Sequence, residues 1–402
     1  MGPFHSSKLS QFLDQRAQAI GSASYVKNFP RLKVQQGQSL QVVGGSSYVK
    51  NFQKWKARAR FLHGKSSTAP PLTATRQQTV VTSPRPIRPA RVMRSPTIQW
   101  PPQVEYVASF QNPHVHLRNT ELGRGSVALN NMGLPHCVSG NFACVFKVQT
   151  NSGVYAVRCF YNSKILDLTA RYSSISNWLH RAKLPFFVDF VYIPEGIAVG
   201  NQKFPILRME WAEGEMLDKF ISRNVNSKDL LRKSAEVFID SIIEMQKNLI
   251  AHGDLQHENI KISVDRQTNA IRIFFLDYDG LYVPDFRGSK SPELGHEHYQ
   301  HPKRTENHYD ERLDNFSALV IYLTILAIAE NPALWKRYHG SLVDKYLIFR
   351  REDYLNPSKS PLIRELLMSN SGRIQDLADL LVQAINYDPL NDSISPDCLR
   401  KL

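Results

Sequence analysis

His252-Gly253-Asp254-Leu255-Gln256-His257-Glu258-Asn259, followed further along by Leu276-Asp277-Tyr278-Asp279-Gly280, is the part of this sequence with most to say. Phosphoryl transfer to a hydroxyl asks little covalent chemistry of a protein. It needs a carboxylate to orient the acceptor and hard oxygen ligands to hold Mg²⁺ on the phosphates. Asp254, with Asn259 five positions on and Asp277 at the end of a predicted hairpin, makes such a set. An ordinary polar loop would not be expected to carry two Asp and an Asn at these spacings.

The pattern from about Trp100 is globular. Phe142–Val148 and Val154–Phe160, joined by Asn151–Gly153, read as a β-hairpin. Ile165, Leu168, Tyr172, Ile175 and Leu179 recur every three or four residues, predicting an amphipathic helix. Val188–Val199 and Phe204–Trp211 read as strands, Leu230–Leu249 as a helix, and Ile260–Val264 with Ile271–Leu276 as a second hairpin. Beyond Arg312 the chain is mainly helical. A small β-rich part thus precedes a larger helical one, with the join near Glu210–Gly214. The uncharged run Asn315–Ala329 is shorter than the roughly 20 residues that span a bilayer, and reads as a buried core helix.

The 402 residues carry 50 Lys+Arg and 36 Asp+Glu, a net of +14, which would first suggest nucleic acid or an anionic membrane. Its location changes that reading. Residues 1–100 hold 16 of the basic groups and a single acid, Asp14, leaving 34 basic and 35 acidic groups in the rest. Residues 1–92 are expected to be a disordered, low-complexity basic tail, ending in the Pro/Arg-rich Ser83–Arg94. The tail repeats SYVKNF at Ser24–Phe29 and Ser47–Phe52, and Lys54–Arg60 sets a Trp among cations. Contact with nucleic acid or anionic lipid is expected only through this tail. Its Arg-rich, acid-poor composition also fits a transit peptide, and a start at Met93 is a further alternative; no signal peptide is expected. Four scattered cysteines (Cys137, Cys144, Cys159, Cys398) exclude a disulfide framework and point to a reducing, cytoplasmic setting.

The two opening motifs resemble those of the protein-kinase-like superfamily: HGDLQHEN the catalytic loop, LDYDG the DFG segment. HGDLQHxN, DYDGxxVP and GHxxYQHPxR together resemble a bacterial family of kinase-like proteins, and HGD is also similar to aminoglycoside and choline phosphotransferases. The resemblance runs from about Trp100 to the C-terminus. It implies an α+β, bilobal protein-kinase-like fold: a lead-in over 93–135, a small lobe over 136–212 and a large lobe over 213–402. It implies Asp254 as catalytic base, Asn259 and Asp277 as metal ligands, and Asp314 as the buried aspartate that, with His252, supports the catalytic loop. Gly140, Asn141, Phe142, Ala143 and Val145 would cover the phosphates. Ala156 and Arg158 would face the nucleotide from a strand, Met209 would stand as gatekeeper, and Glu210 and Ala212 would meet adenine. The implied cofactors are ATP and Mg²⁺, or Mn²⁺. The implied activity is transfer to a Ser/Thr hydroxyl of a protein by a monomeric domain.

The departures carry information of their own. Arg158 stands where most kinases have Lys. The helix after it contains no Glu; a simple offset puts Asn177 at the partner position, and Asp167 is the one acid at hand. Gln256 replaces a phosphate-binding Lys, and Asp279 replaces a glycine. Gly253 removes the Arg that couples the loop to a phosphorylated activation segment, so activation of that kind is not expected. These changes favour the alternative of a pseudokinase acting as a nucleotide-binding regulatory module, while HGD favours a small-molecule kinase. Gly295–His301, with three histidines, is read as the end of the activation region, where substrate docks, rather than as a zinc site.

Overall fold

The computed structural model describes residues 99–140, 142–161, 167–340 and 345–402. The contacts divide the chain between Val92 and Met93, and every described residue lies in the second unit. The basic tail with its repeat, Asn141, and Ile165 fall outside the described residues.

The small lobe is one antiparallel sheet. Its strands are β1 (Ser126–Val127), β2 (Cys137–Ser139), β3 (Ala143–Gln149), β4 (Val154–Phe160), β5 (Phe190–Val199) and β6 (Gln202–Glu210), in the order β1-β3-β4-β6-β5 with β2 also on β3. Alternation along β4 decides what each face does. Val157 and Cys159 enter a core with Phe146 and Val148, against helix α1 (Gln103–Phe110). Ala156 and Phe160 pack on the other side, with the main core. The lead-in is therefore part of the small lobe: Phe110 stacks on Phe146 at 3.8 Å, and the Tyr106 hydroxyl donates to the Phe160 carbonyl at 2.8 Å. Cys159 is fully buried there, and burial pushes its thiol up, as packing rather than reactivity requires.

Helix α2 (Leu168–Ala182) buries Leu168, Tyr172 and Ile175, the stripe its sequence predicts. Asp167 is used to start it: its side chain accepts from the Ala170 N–H at 2.8 Å as an N-cap.

The large lobe contains β7 (Glu215–Met216), α3 (Leu217–Asn224), α4 (Lys228–Lys247) and the hairpin β8 (Ile260–Val264) and β9 (Ile271–Phe275). Its centre is α5 (Asn315–Glu330), in which every residue from Asn315 to Ala329 is buried. A helix apolar all round can only be surrounded by protein or lipid. Here α4 and the helices at Gly372–Ala384 and Pro396–Lys401 pack on it. Among the described residues, no helix is long and apolar enough to cross a membrane.

Candidate active site

The loop 252–259 lies between α4 and β8 and is tied down from below. Asp314, immediately before α5 and 3% exposed, accepts from the backbone N–H groups of His252 and Gly253, the latter at 2.9 Å. Burial pushes the Asp314 carboxyl up, with His252 and these bonds opposing it. The His252 ring is fully buried. Its Nε2 meets the Leu276 carbonyl at 2.7 Å and its Nδ1 accepts from the Asp254 N–H at 3.3 Å, which sets Nε2 as the protonated nitrogen. One imidazole thus joins the loop bearing Asp254 to the strand end bearing Asp277.

Gly253 has φ +81°, and a Cβ there would come 3.0 Å from the Gly280 carbonyl carbon and closer still to its oxygen. That close approach, and not merely the loss of an arginine, is why the position is glycine. A guanidinium arrives from elsewhere. Arg304, 8% exposed, donates through Nη1 to the Gly253 carbonyl at 2.7 Å and to the Gln300 Oε1. Through Nη2 it reaches the Glu293 carbonyl at 3.3 Å. Arg304 thus ties the loop 252–259 to the segment 293–304.

Asp254 is surrounded by donors. Asn259 Nδ2 reaches its Oδ2 at 3.0 Å and its carbonyl at 2.9 Å, and the His296 N–H reaches its Oδ1 at 2.7 Å. Gly295, at φ +69°, makes the last contact possible, since a Cβ would lie 2.9 Å from that oxygen.

Asp277 adopts φ +63°, a left-handed conformation that Asp tolerates at some cost. Arg158, with a side chain only 7% exposed, grips two carboxylates: Nη1 meets Asp277 Oδ1 at 2.5 Å and Nη2 meets Asp279 Oδ2 at 2.6 Å. The Tyr172 hydroxyl donates to the other Asp279 oxygen, and Arg171 Nε to the Asp279 carbonyl at 3.0 Å. The helix offset is corrected here. Asn177 is exposed, with its carbonyl accepting from Arg181, and α2 presents Arg171 and Tyr172 to the site instead. Burial works against charge on Asp277, but Arg158 more than offsets it and holds that carboxyl below its ordinary range. Burial raises the Asp279 carboxyl despite Arg158.

Glu293, which sequence reasoning did not single out, completes the acidic surroundings. Its carboxylate lies over Gly280, and burial beside Asp277 and Asp254 pushes it up to about 8.

On the small-lobe side, Val145 lies opposite Arg158 and Ala156 opposite the buried Met209. Ala143 is buried, and the Phe142 carbonyl accepts from the Tyr161 N–H at 2.8 Å. The Gly140 N–H donates to the Ala143 carbonyl at 2.9 Å, and a Cβ there would meet nothing nearer than 3.8 Å. At the join, the Glu210 N–H donates to the Asp189 carbonyl at 2.9 Å. The Ala212 carbonyl accepts from Lys261 Nζ at 2.8 Å, a partner that the sequence did not suggest. Lys261 and Lys147 both lie over the Trp211 ring, at 4.6 and 4.4 Å, so the connection between lobes is held by a cation from each.

Of the three histidines in Gly295–His301, the His296 and His298 rings lie 5.2 Å apart while His301 is bonded elsewhere, and among the described residues they form no metal-holding group of three. His298 Nδ1 accepts from the Arg351 N–H at 3.0 Å, and His301 Nε2 meets the Ala384 carbonyl at 3.0 Å.

A small antiparallel sheet packed by α1 and α2, a helical lobe built on a buried central helix, and a loop anchored by Asp314 define a bilobal protein-kinase-like fold. No family model matches the chain, and no curated protein does so by sequence. Among solved structures it is similar to that of the Cydia pomonella Granulovirus kinase PK-1. The TM-score is 0.45 at 16% identity, over 70% of this chain and 94% of that one.

Proposed function

We propose that the chain is an ATP- and Mg²⁺-dependent phosphotransferase that moves the γ-phosphoryl group to a Ser/Thr hydroxyl of a protein. The observation that carries this reading is the set Asp254, Asn259 and Asp277, on two loops joined by His252. Asp254 is the acceptor's base, its carboxylate oriented by Asn259 and the His296 N–H so that a hydroxyl proton can pass to it. Asp277 and Asn259 would hold Mg²⁺, or Mn²⁺, which when bound neutralises charge on the phosphates. Among the described residues no three or more His, Cys, Asp or Glu group to hold a metal. Two hard oxygen donors still suit Mg²⁺, which keeps waters and takes phosphate oxygens rather than an all-protein cage. Asp277 leaves 40% of its side chain exposed for that purpose. Arg158, with Gly140, Asn141, Phe142, Ala143 and Val145, would meet the phosphates, and Ala156, Met209, Glu210 and Ala212 the base. Segment 293–304, folded against Asp254, supports a protein acceptor over a small one.

One observation favours a second reading, a pseudokinase that binds nucleotide as a regulatory module. The Arg158 guanidinium already occupies Asp277 Oδ1, a position a metal would need. The test is Mg²⁺-dependent ATP turnover and autophosphorylation of the full chain beside Asp254→Ala and Asp277→Ala. Turnover lost in both variants supports the enzyme, and equal signals in all three sink it. A nucleotide-induced melting shift without turnover leaves the pseudokinase.

A further inference from the structure

The two carboxylates on Arg158 are not equivalent. Asp277 is open, with 40% of its side chain exposed, whereas that of Asp279 is 16% exposed and is held on every side. Its Oδ2 takes Arg158 Nη2, its Oδ1 takes the Tyr172 phenol, and its carbonyl takes Arg171. Arg171 is fixed in turn by the Leu281 carbonyl at 2.9 Å, the Tyr309 hydroxyl at 3.2 Å and the face of Phe286 at 4.6 Å. Tyr172 and Arg171 belong to the small-lobe helix, so Asp279 is where that helix, the strand cation and the large lobe meet. A phenol is suited to this position: it can donate to Asp279 without competing for the guanidinium. The forked guanidinium offers separate nitrogens to the two acids, so one contact can be given up while the other is kept.

We propose that Asp279, braced by Tyr172, is the positioning residue that anchors Arg158 in a site whose helix supplies no carboxylate, and that this anchor lets Arg158 yield Asp277 to a divalent cation. The second half rests on the phosphotransfer reading. With Asp279 present, a cation arriving at Asp277 displaces one arm of Arg158. Without it, Arg158 has Asp277 as its remaining carboxylate contact and is harder to displace.

The test uses the full chain and two readouts. In EDTA, Arg158→Met, Asp279→Asn and the double variant are melted. Each single change is expected to lower the Tm by several degrees, and the double by clearly less than their sum; strict additivity overturns the anchor. Mn²⁺ binding is then followed by the electron paramagnetic resonance of the free ion. Asp279→Asn is expected to weaken binding about tenfold with Arg158 present and by less than about twofold in the Arg158→Met background. Equal weakening in both backgrounds makes Asp279 a direct ligand and overturns the proposal. Tyr172→Phe keeps the packing and removes only the phenol, so it serves if Asp279→Asn does not fold; an unchanged Mn²⁺ affinity in that variant counts against the proposal. Absence of Mn²⁺ binding by every variant, with or without ATP, overturns the release of Asp277 together with the phosphotransfer reading, while the EDTA cycle judges the anchor by itself.

Discussion

Replacing Gly253 by alanine is the smallest change that tests why this catalytic loop carries glycine. Two costs add. An L-residue held at φ +81° loses about 1–2 kcal/mol relative to glycine. The new Cβ would also press on the Gly280 carbonyl, which is backbone and cannot rotate away, and forced shifts of that kind cost about 1–3 kcal/mol. The total is about 2–5 kcal/mol, and at about 2–4 °C per kcal/mol for a large domain the Tm should fall by about 4–20 °C. Gly288 provides the control, because it has φ +79° and a Cβ added there would meet nothing within 4 Å. Gly288→Ala should therefore cost the backbone part alone, about 1–2 kcal/mol. Differential scanning calorimetry of both variants separates strain from contact. Equal, small shifts in the two would refute the close approach as the reason for glycine, and Gly253→Arg would then be tolerated as well.

Arg304→Met should release the activation segment from the catalytic loop, leaving the Gly253 and Glu293 carbonyls and the Gln300 Oε1 without their charged donor. Hydrogen bonds to charged groups contribute about 1.5–3 kcal/mol each, so limited proteolysis over 285–300 should speed up at least tenfold; an unchanged cleavage rate would show that Arg304 is not the clamp. His257 gives a pH test. His257 Nδ1 lies 2.6 Å from Tyr299 Oη, which also accepts from the Leu347 N–H. Burial lowers its pKa from 6.5 to about 4. As pH falls from 6.5 to 4 the unfolded chain gains a proton that the native state does not, so stability is lost over that window, by about 3 kcal/mol at most. Denaturant midpoints between pH 7.5 and 4.5 should fall less steeply for His257→Gln; parallel curves would remove His257 as the cause.

What was legible in the sequence was whatever a local pattern encodes. The alternation of Val154–Phe160 gave a strand with Arg158 on it, and the run Asn315–Ala329 could only be a buried helix. HGDLQHEN kept Asp254 and Asn259 close because they are close in the chain. The partners of Arg158 could not be read in this way. Without a Glu in the helix there was nothing to fix the helical register, so an offset chose Asn177, while the bonds that matter come from Tyr172 and, far along the chain, Asp279. Lys261 on the Ala212 carbonyl and Arg304 on Gly253 are likewise long-range meetings of ordinary surface-type residues. Lys261 carried no signal at all, and the motif that ends in Arg304 did not say what that arginine would touch.

The same contact that argues for a pseudokinase also explains how an enzyme could work here. A buried guanidinium needs anionic partners, and leaving it unpaired costs several kcal/mol. With no helix carboxylate, Arg158 takes its partners from the loop 277–279, and one of them is the residue a cation would need. If Asp277 were the sole partner, a cation binding without nucleotide would leave Arg158 with no anionic partner, at a cost that opposes metal. Asp279 changes the balance, since Arg158 keeps one ion pair whichever state Asp277 is in. The acid at 279 is therefore better understood as the condition under which an Arg at 158 is compatible with metal at 277 than as a defect in a glycine position. On this view the decisive measurement is the dependence of cation affinity on Arg158 rather than turnover alone: a low-activity enzyme and a pseudokinase look alike by turnover, but only in the first should loosening Asp279 make the cation harder to bind.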